Sequence, residues 1–108
     1  VPYDEGLAER LRDLVPDAVE KRMFGGLAFL VNGHMAVCAS GRGGLMVRVD
    51  PKEAPALLER PNASRMVMGG REMDGWLRVV GSPEADEVPD LAFWVDEGVA
   101  YVHTLPPK

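Results

Sequence analysis

A chain of 108 residues with 46% apolar side chains has material for one hydrophobic core and too little length for a second. Twelve basic against seventeen acidic residues leave a formal charge of −5, which argues against direct nucleic-acid binding, since phosphate recognition draws on a surplus of Lys and Arg. The single cysteine excludes an internal disulfide, and the apolar run Leu27 to Val31 is far short of the ~20 residues that cross a bilayer.

Residues 4 to 15 read as a helix capped by Asp4, with Leu7, Leu11 and Leu14 on one face and Pro16 ending it. Four strands are expected next: Val19–Phe24, Leu27–Val31, His34–Ser40 and Leu45–Val49. They are separated by Gly25-Gly26, Asn32-Gly33 and the Gly-rich run 41–44, and such short links make antiparallel neighbours. Asp50-Pro51-Lys52-Glu53 opens a second helix that Pro55 keeps short or kinked. Arg65–Met68 and Trp76–Val80 are further strand candidates around turns at Gly69-Gly70 and Asp74-Gly75. A polar loop over 81–87 precedes a last helix running from residue 86 or 87 to His103, with Val88, Leu91, Val95, Gly98 and Val102 on one face. The order α-β-β-β-β-α-β-β-α predicts a single two-layer α+β domain. An antiparallel sheet of five or six strands would carry the first and last helices on one face.

No residue pattern assembles a catalytic or metal site. His34 and Cys38 stand four apart, about 13 Å along one strand, too far to hold one ion or to form a thiol–imidazole pair. Cys38 has no cationic neighbour in sequence to activate its thiol. The glycine pairs lack the Gly-Lys-Ser/Thr ending of a phosphate loop and lead into strands rather than helices, so they are turns. Met66, Met68 and Met73 fit core filling as well as an adaptable contact surface. No cofactor is expected. The opening Val-Pro-Tyr-Asp-Glu does not read as a signal peptide, and a cytoplasmic address without membrane contact is expected.

Several blocks together resemble the N-terminal domain family of TfoX/Sxy competence regulators. They are Tyr3-Asp4-Glu5-Gly6-Leu7, Lys21-Arg22-Met23-Phe24-Gly25-Gly26-Leu27-Ala28-Phe29, Leu45-Met46-Val47-Arg48-Val49, Gly70-Arg71-Glu72-Met73-Asp74-Gly75-Trp76, and the Trp94 helix closing on Leu105-Pro106. The resemblance spans nearly all of the chain. It implies a two-layer domain and a role in switching on DNA-uptake genes, and it brings no catalytic motif. The longer members carry a second, C-terminal domain not represented in these residues.

Strand alternation then suggests where function lies. Met35, Val37 and Ala39 are expected beneath the helices, leaving His34, Ala36 and Cys38 on the outer face. Phe24, Ala28, Leu30 and Met46 would join them there, beside Arg22 and Arg48. An outer patch of Arg22, Phe24, Leu30, His34, Met46 and Arg48 points to a non-enzymatic regulatory or adaptor domain that binds a protein partner or pairs with its own copy. The alternative is a small-molecule sensor or minor enzyme, with Arg71, Asp74 or His103 around a pocket between sheet and helices.

Overall fold

The computed structural model describes residues 5–23, 25–40, 44–60, 62–68, 70–80 and 90–106. The expected Asp4 cap, Phe24, the turn at 41–43 and the segment 81–89 lie outside these residues. So does the expected start of the last helix, and the side chains of Met68, Met73 and Asp74 are likewise outside the description.

The elements are α1 (Glu5–Leu14), β1 (Val19–Met23), β2 (Gly26–Val31), β3 (His34–Ala39), β4 (Leu45–Arg48), α2 (Ala54–Leu57), β5 (Ala63–Met68), β6 (Arg71–Val79) and α3 (Leu91–His103). The six strands form one antiparallel sheet in the order β1-β2-β3-β4-β6-β5. The fold is the expected α+β arrangement with its helices packed against the sheet.

The main core lies under the helices. Leu27, Phe29, Val37, Ala39, Leu45, Val47, Leu77 and Val79 from the sheet meet Leu7, Ala8 and Leu11 of α1, Ala54 and Leu57 of α2, and Trp94 and Val95 of α3. Each large side chain fully buried here contributes ~1.5–3 kcal/mol, so this single interface supplies most of the driving force for folding. On α1, Leu14 is 42% exposed, and Ala8 and Val15 complete the buried face in its place. Arg60, after α2, sits 3.7 Å from the ring centroid of Phe93 and ties that segment to α3.

Local chemistry sets the connections. Asn32 and Gly33 adopt φ values of 53° and 84°, as a type I′ hairpin turn between β2 and β3 requires. At the start of α2, Asp50 Oδ1 accepts the Lys52 amide at 2.9 Å, and the Asp50 carbonyl accepts the amides of Glu53 and Ala54. Regular helix lasts only from Ala54 to Leu57, the short element that Pro55 predicts.

Two irregularities govern which way side chains point. Between β2 and β3, Phe29 pairs with Val37 but Leu30 pairs with Met35, so Ala36 is an extra residue on β3. Met35 therefore faces away from the helices and His34, opposite Val31, faces toward them, the reverse of simple alternation. The second lies between β5 and β6, where Arg65 pairs with Leu77 and Val67 with Glu72. The Asp74-Gly75 signal is thus an irregularity inside one long strand rather than a turn between strands. Gly75 takes φ of 82°, and its carbonyl accepts the Val49 amide at 2.8 Å.

Candidate functional site on the outer sheet face

Cross-strand pairing defines two rows on the face away from the helices. One runs Lys21, Ala28, Cys38, Met46, Arg78, Ser64. The other holds Val19, Leu30 and Met35, with Arg48 opposite Trp76 on the neighbouring strand pair. Ala28, Cys38, Met46 and Met66 form a second apolar cluster, against which Leu30, Met35 and Trp76 pack half-buried.

Small residues at the middle of the face are roofed by the longer side chains beside them, and the rim is where apolar surface meets solvent. At the β1 edge, Val19 is 65% exposed. Lys21 on β1 is exposed, whereas Arg48 on β4 and Arg78 on β6 are half-buried. No described strand side chain on this face is acidic.

Arg48 is held between two aromatic rings. Its guanidinium carbon stands 5.7 Å from the Trp76 ring centroid and 5.8 Å from that of Tyr101 on α3. Both distances are within cation–π range.

The expected patch is thus revised. Leu30, Met46 and Arg48 do face outward, although Met46 is buried beneath its neighbours. Arg22 does not share that face. Met23 pairs with Gly26 and Arg22 with Leu27, which sets Arg22 on the helix side. His34 is also on the helix side and is 8% exposed. Its Nε2 donates to the Pro106 carbonyl at 2.6 Å, which pins the chain after α3, and its buried Nδ1 has no partner among the described residues. Phe24 lies outside the described residues. Met35 and Trp76 belong to the face and were not expected there. For Met35 only the bulge reveals it, whereas Trp76 alternates regularly with Arg78 and was legible.

The bulge also places Cys38 and His34 on opposite faces, rather than on the one face that their spacing suggests. Burial pushes the Cys38 thiol up to about 11, away from reactivity. Among the described residues, no three His, Cys, Asp or Glu side chains are grouped to hold a metal ion. No described helix is long and apolar enough to cross a membrane.

A cleft of about 430 Å³ lies at the other side of the molecule, where the end of α1, the β2–β3 hairpin and α3 meet. Val31, Val95 and Val99 line it with Asp17, Asp96 and His103, whose Nδ1 is 3.5 Å from Asn32 Nδ2. Of the three polar residues expected around a pocket, only His103 is found here. Arg71 stands at the β5–β6 hairpin, and the Asp74 side chain lies outside the described residues.

A small two-layer α+β domain with one basic, partly apolar sheet face is the class that this architecture defines. Residues 9–101 match the TfoX N-terminal domain, and the chain belongs to that family. No curated protein and no solved structure matches it significantly.

Proposed function

We propose that this is a non-enzymatic regulatory or adaptor domain of the TfoX type, working in the cytoplasm by docking a protein on its outer sheet face. The observation that carries the reading is the second apolar cluster. Leu30, Met35 and Trp76 stay half-buried on a face where cations interrupt apolar side chains, a composition common at contact sites. A role in DNA-uptake gene expression follows from the family resemblance and would be exercised through that partner. A different protein suits the face better than a second copy, because symmetric pairing would bring Lys21, Arg48 and Arg78 toward like charges.

The test replaces Leu30 and Met35 together with Ser, then compares mass in solution and co-purifying proteins with the parent at low salt. Loss of a partner by a folded double variant supports the reading. Unchanged association places the interface elsewhere. The cleft beside His103 motivates a second reading, small-molecule sensing, since apolar walls there carry three ionisable groups. Filling it with Val99→Trp would abolish a ligand response while leaving outer-face docking intact.

A further inference from the structure

Resting on the docking role just argued, we propose that Arg48, held between Trp76 and Tyr101, is the carboxylate-binding centre of the outer face. Its occupant is an acidic, partly apolar peptide segment of a partner protein.

Three observations converge on that chemistry. Among the described residues Arg48 makes no hydrogen bond or ion pair, so none of them occupies its planar fork of five N–H donors. The two rings hold the guanidinium laterally, which removes much of the side-chain entropy that capturing a carboxylate would otherwise cost. The half-buried setting also strengthens a charge-assisted pair relative to one in open water.

The surroundings extend the match. Lys21 and Arg78 lie in the same cross-sheet row, four strand spacings apart, or roughly 19 Å. An extended segment of about six residues spans that distance at ~3.4 Å per residue. It would set a carboxylate near Lys21 and apolar side chains over Leu30, Met35 and Trp76. The charged side chains among the described strand residues of this face are all cationic although the whole chain carries −5, so their local field favours an acidic ligand. A nucleic acid shares the charge but gains less here. It would have to approach a chain whose net charge repels it, and Trp76 is the one aromatic ring among the described strand residues of this face.

The experiment titrates the full chain, labelled with nitrogen-15, with a ten-residue peptide alternating Glu and Leu. A Gln-for-Glu version and a ten-residue oligothymidine serve as comparisons. Binding of the acidic peptide should shift the Trp76 indole and Arg48 Nε–H signals, and the neutral peptide should bind at least tenfold more weakly. Arg48→Gln should weaken the acidic peptide tenfold or more. Arg48→Lys, which keeps the charge but not the fork, should lose most of the same affinity. Arg22→Gln, on the helix side, should change it less than twofold. Thermal melts of both Arg48 variants separate lost binding from lost fold.

The proposal is overturned if the acidic peptide leaves those two signals unmoved, if folded Arg48 variants bind as the parent does, or if oligothymidine binds more tightly than the peptide. The docking role itself fails separately, when the Leu30 and Met35 replacements leave the native partner bound.

Discussion

Gly98 of α3 and Ala36 of β3 approach so closely that a methyl group on the glycine would stand 2.7 Å from the Ala36 carbonyl oxygen. The bulge and the helix are therefore fitted to each other: the extra residue on β3 lies where α3 carries no side chain.

Gly98→Ala should destabilise the fold. Alanine gains ~1 kcal/mol of helix propensity over glycine, but the contact is with backbone, and overpacking of this kind costs about 1–3 kcal/mol. The same methyl would also stand 3.3 Å from a Val37 methyl, so the clash should win, with a net loss of up to about 2 kcal/mol. Urea unfolding checks the sign. A midpoint equal to or above that of the parent would show that α3 lifts off the bulge without cost.

Burial of Cys38 gives the stability a specific alkaline dependence. The thiol ionises near 9.0 when unfolded and near 11 when folded. Below pH 9 both states hold the proton and the contribution is complete. As pH rises toward 11 the unfolded chain loses its proton first, so stability falls by roughly 2–3 kcal/mol from this group. Cys38→Ala should flatten that stretch of the profile, measured as urea midpoints between pH 8 and 11, and should leave docking unchanged. The native thiol should also resist alkylation at pH 8, and rapid labelling of folded protein would contradict the burial.

Arg12 on α1 and Glu20 on β1 form a bidentate pair, with Nε 2.9 Å from both carboxylate oxygens. This hydrogen bond and the charge behind it hold the Glu20 carboxyl below its ordinary value. Stability from the pair is therefore present above the usual carboxylate range and is lost as pH falls through the depressed value. Both side chains are exposed, at 45% and 36%, so screening keeps the effect small. Arg12→Ala should cost less than ~1 kcal/mol, and the cost should shrink in 1 M salt. A larger, salt-insensitive loss would mean that the arginine stem supplies packing instead.

His34 ties the chain after α3 to the sheet through Pro106, a donor–acceptor pair that His34→Ala removes. The change should cost about 1–2 kcal/mol and raise amide exchange beyond Val102, with outer-face docking retained. Equal exchange in the variant would assign the anchoring to Leu105, which is half-buried beside it.

What the sequence made legible was what local chemistry decides. Asn32-Gly33 specifies a hairpin by itself, Pro55 shortens α2 by itself, and the leucines of α1 declare a buried face. The direction of His34 and Met35 depended instead on one inserted residue. Met35, Val37 and Ala39 alternate as a regular strand would, and an alanine gives no sign that it is the extra residue. Arg22 was a matter of register. The register joins even-numbered positions of β1 to odd-numbered positions of β2, which puts Arg22 with Leu27. The bracket around Arg48 was out of reach, since Tyr101 comes to it from an element more than fifty residues further along the chain.

Leu27 and Leu30 sit three positions apart on β2 and face opposite layers, so they separate folding from docking. Leu27 is 5% exposed within the main core, where truncation to Ala should cost about 2–4 kcal/mol through lost burial and the cavity left behind. Leu30 packs half-buried against the smaller cluster, where the same truncation should cost no more than ~1.5 kcal/mol because water already reaches it. The Lys variants should diverge further. At position 27 an unpaired charge would enter a dry interface and exceed much of the 5–15 kcal/mol that a domain typically has available, roughly speaking. At position 30 the lysine stem can lie along the surface with its ammonium in solvent. Leu30→Lys should therefore remain folded by circular dichroism. Leu27→Lys should fail to fold. If Leu30→Lys unfolds the chain to the same degree, the smaller cluster is a structural core like the first, and the outer face is not the docking surface.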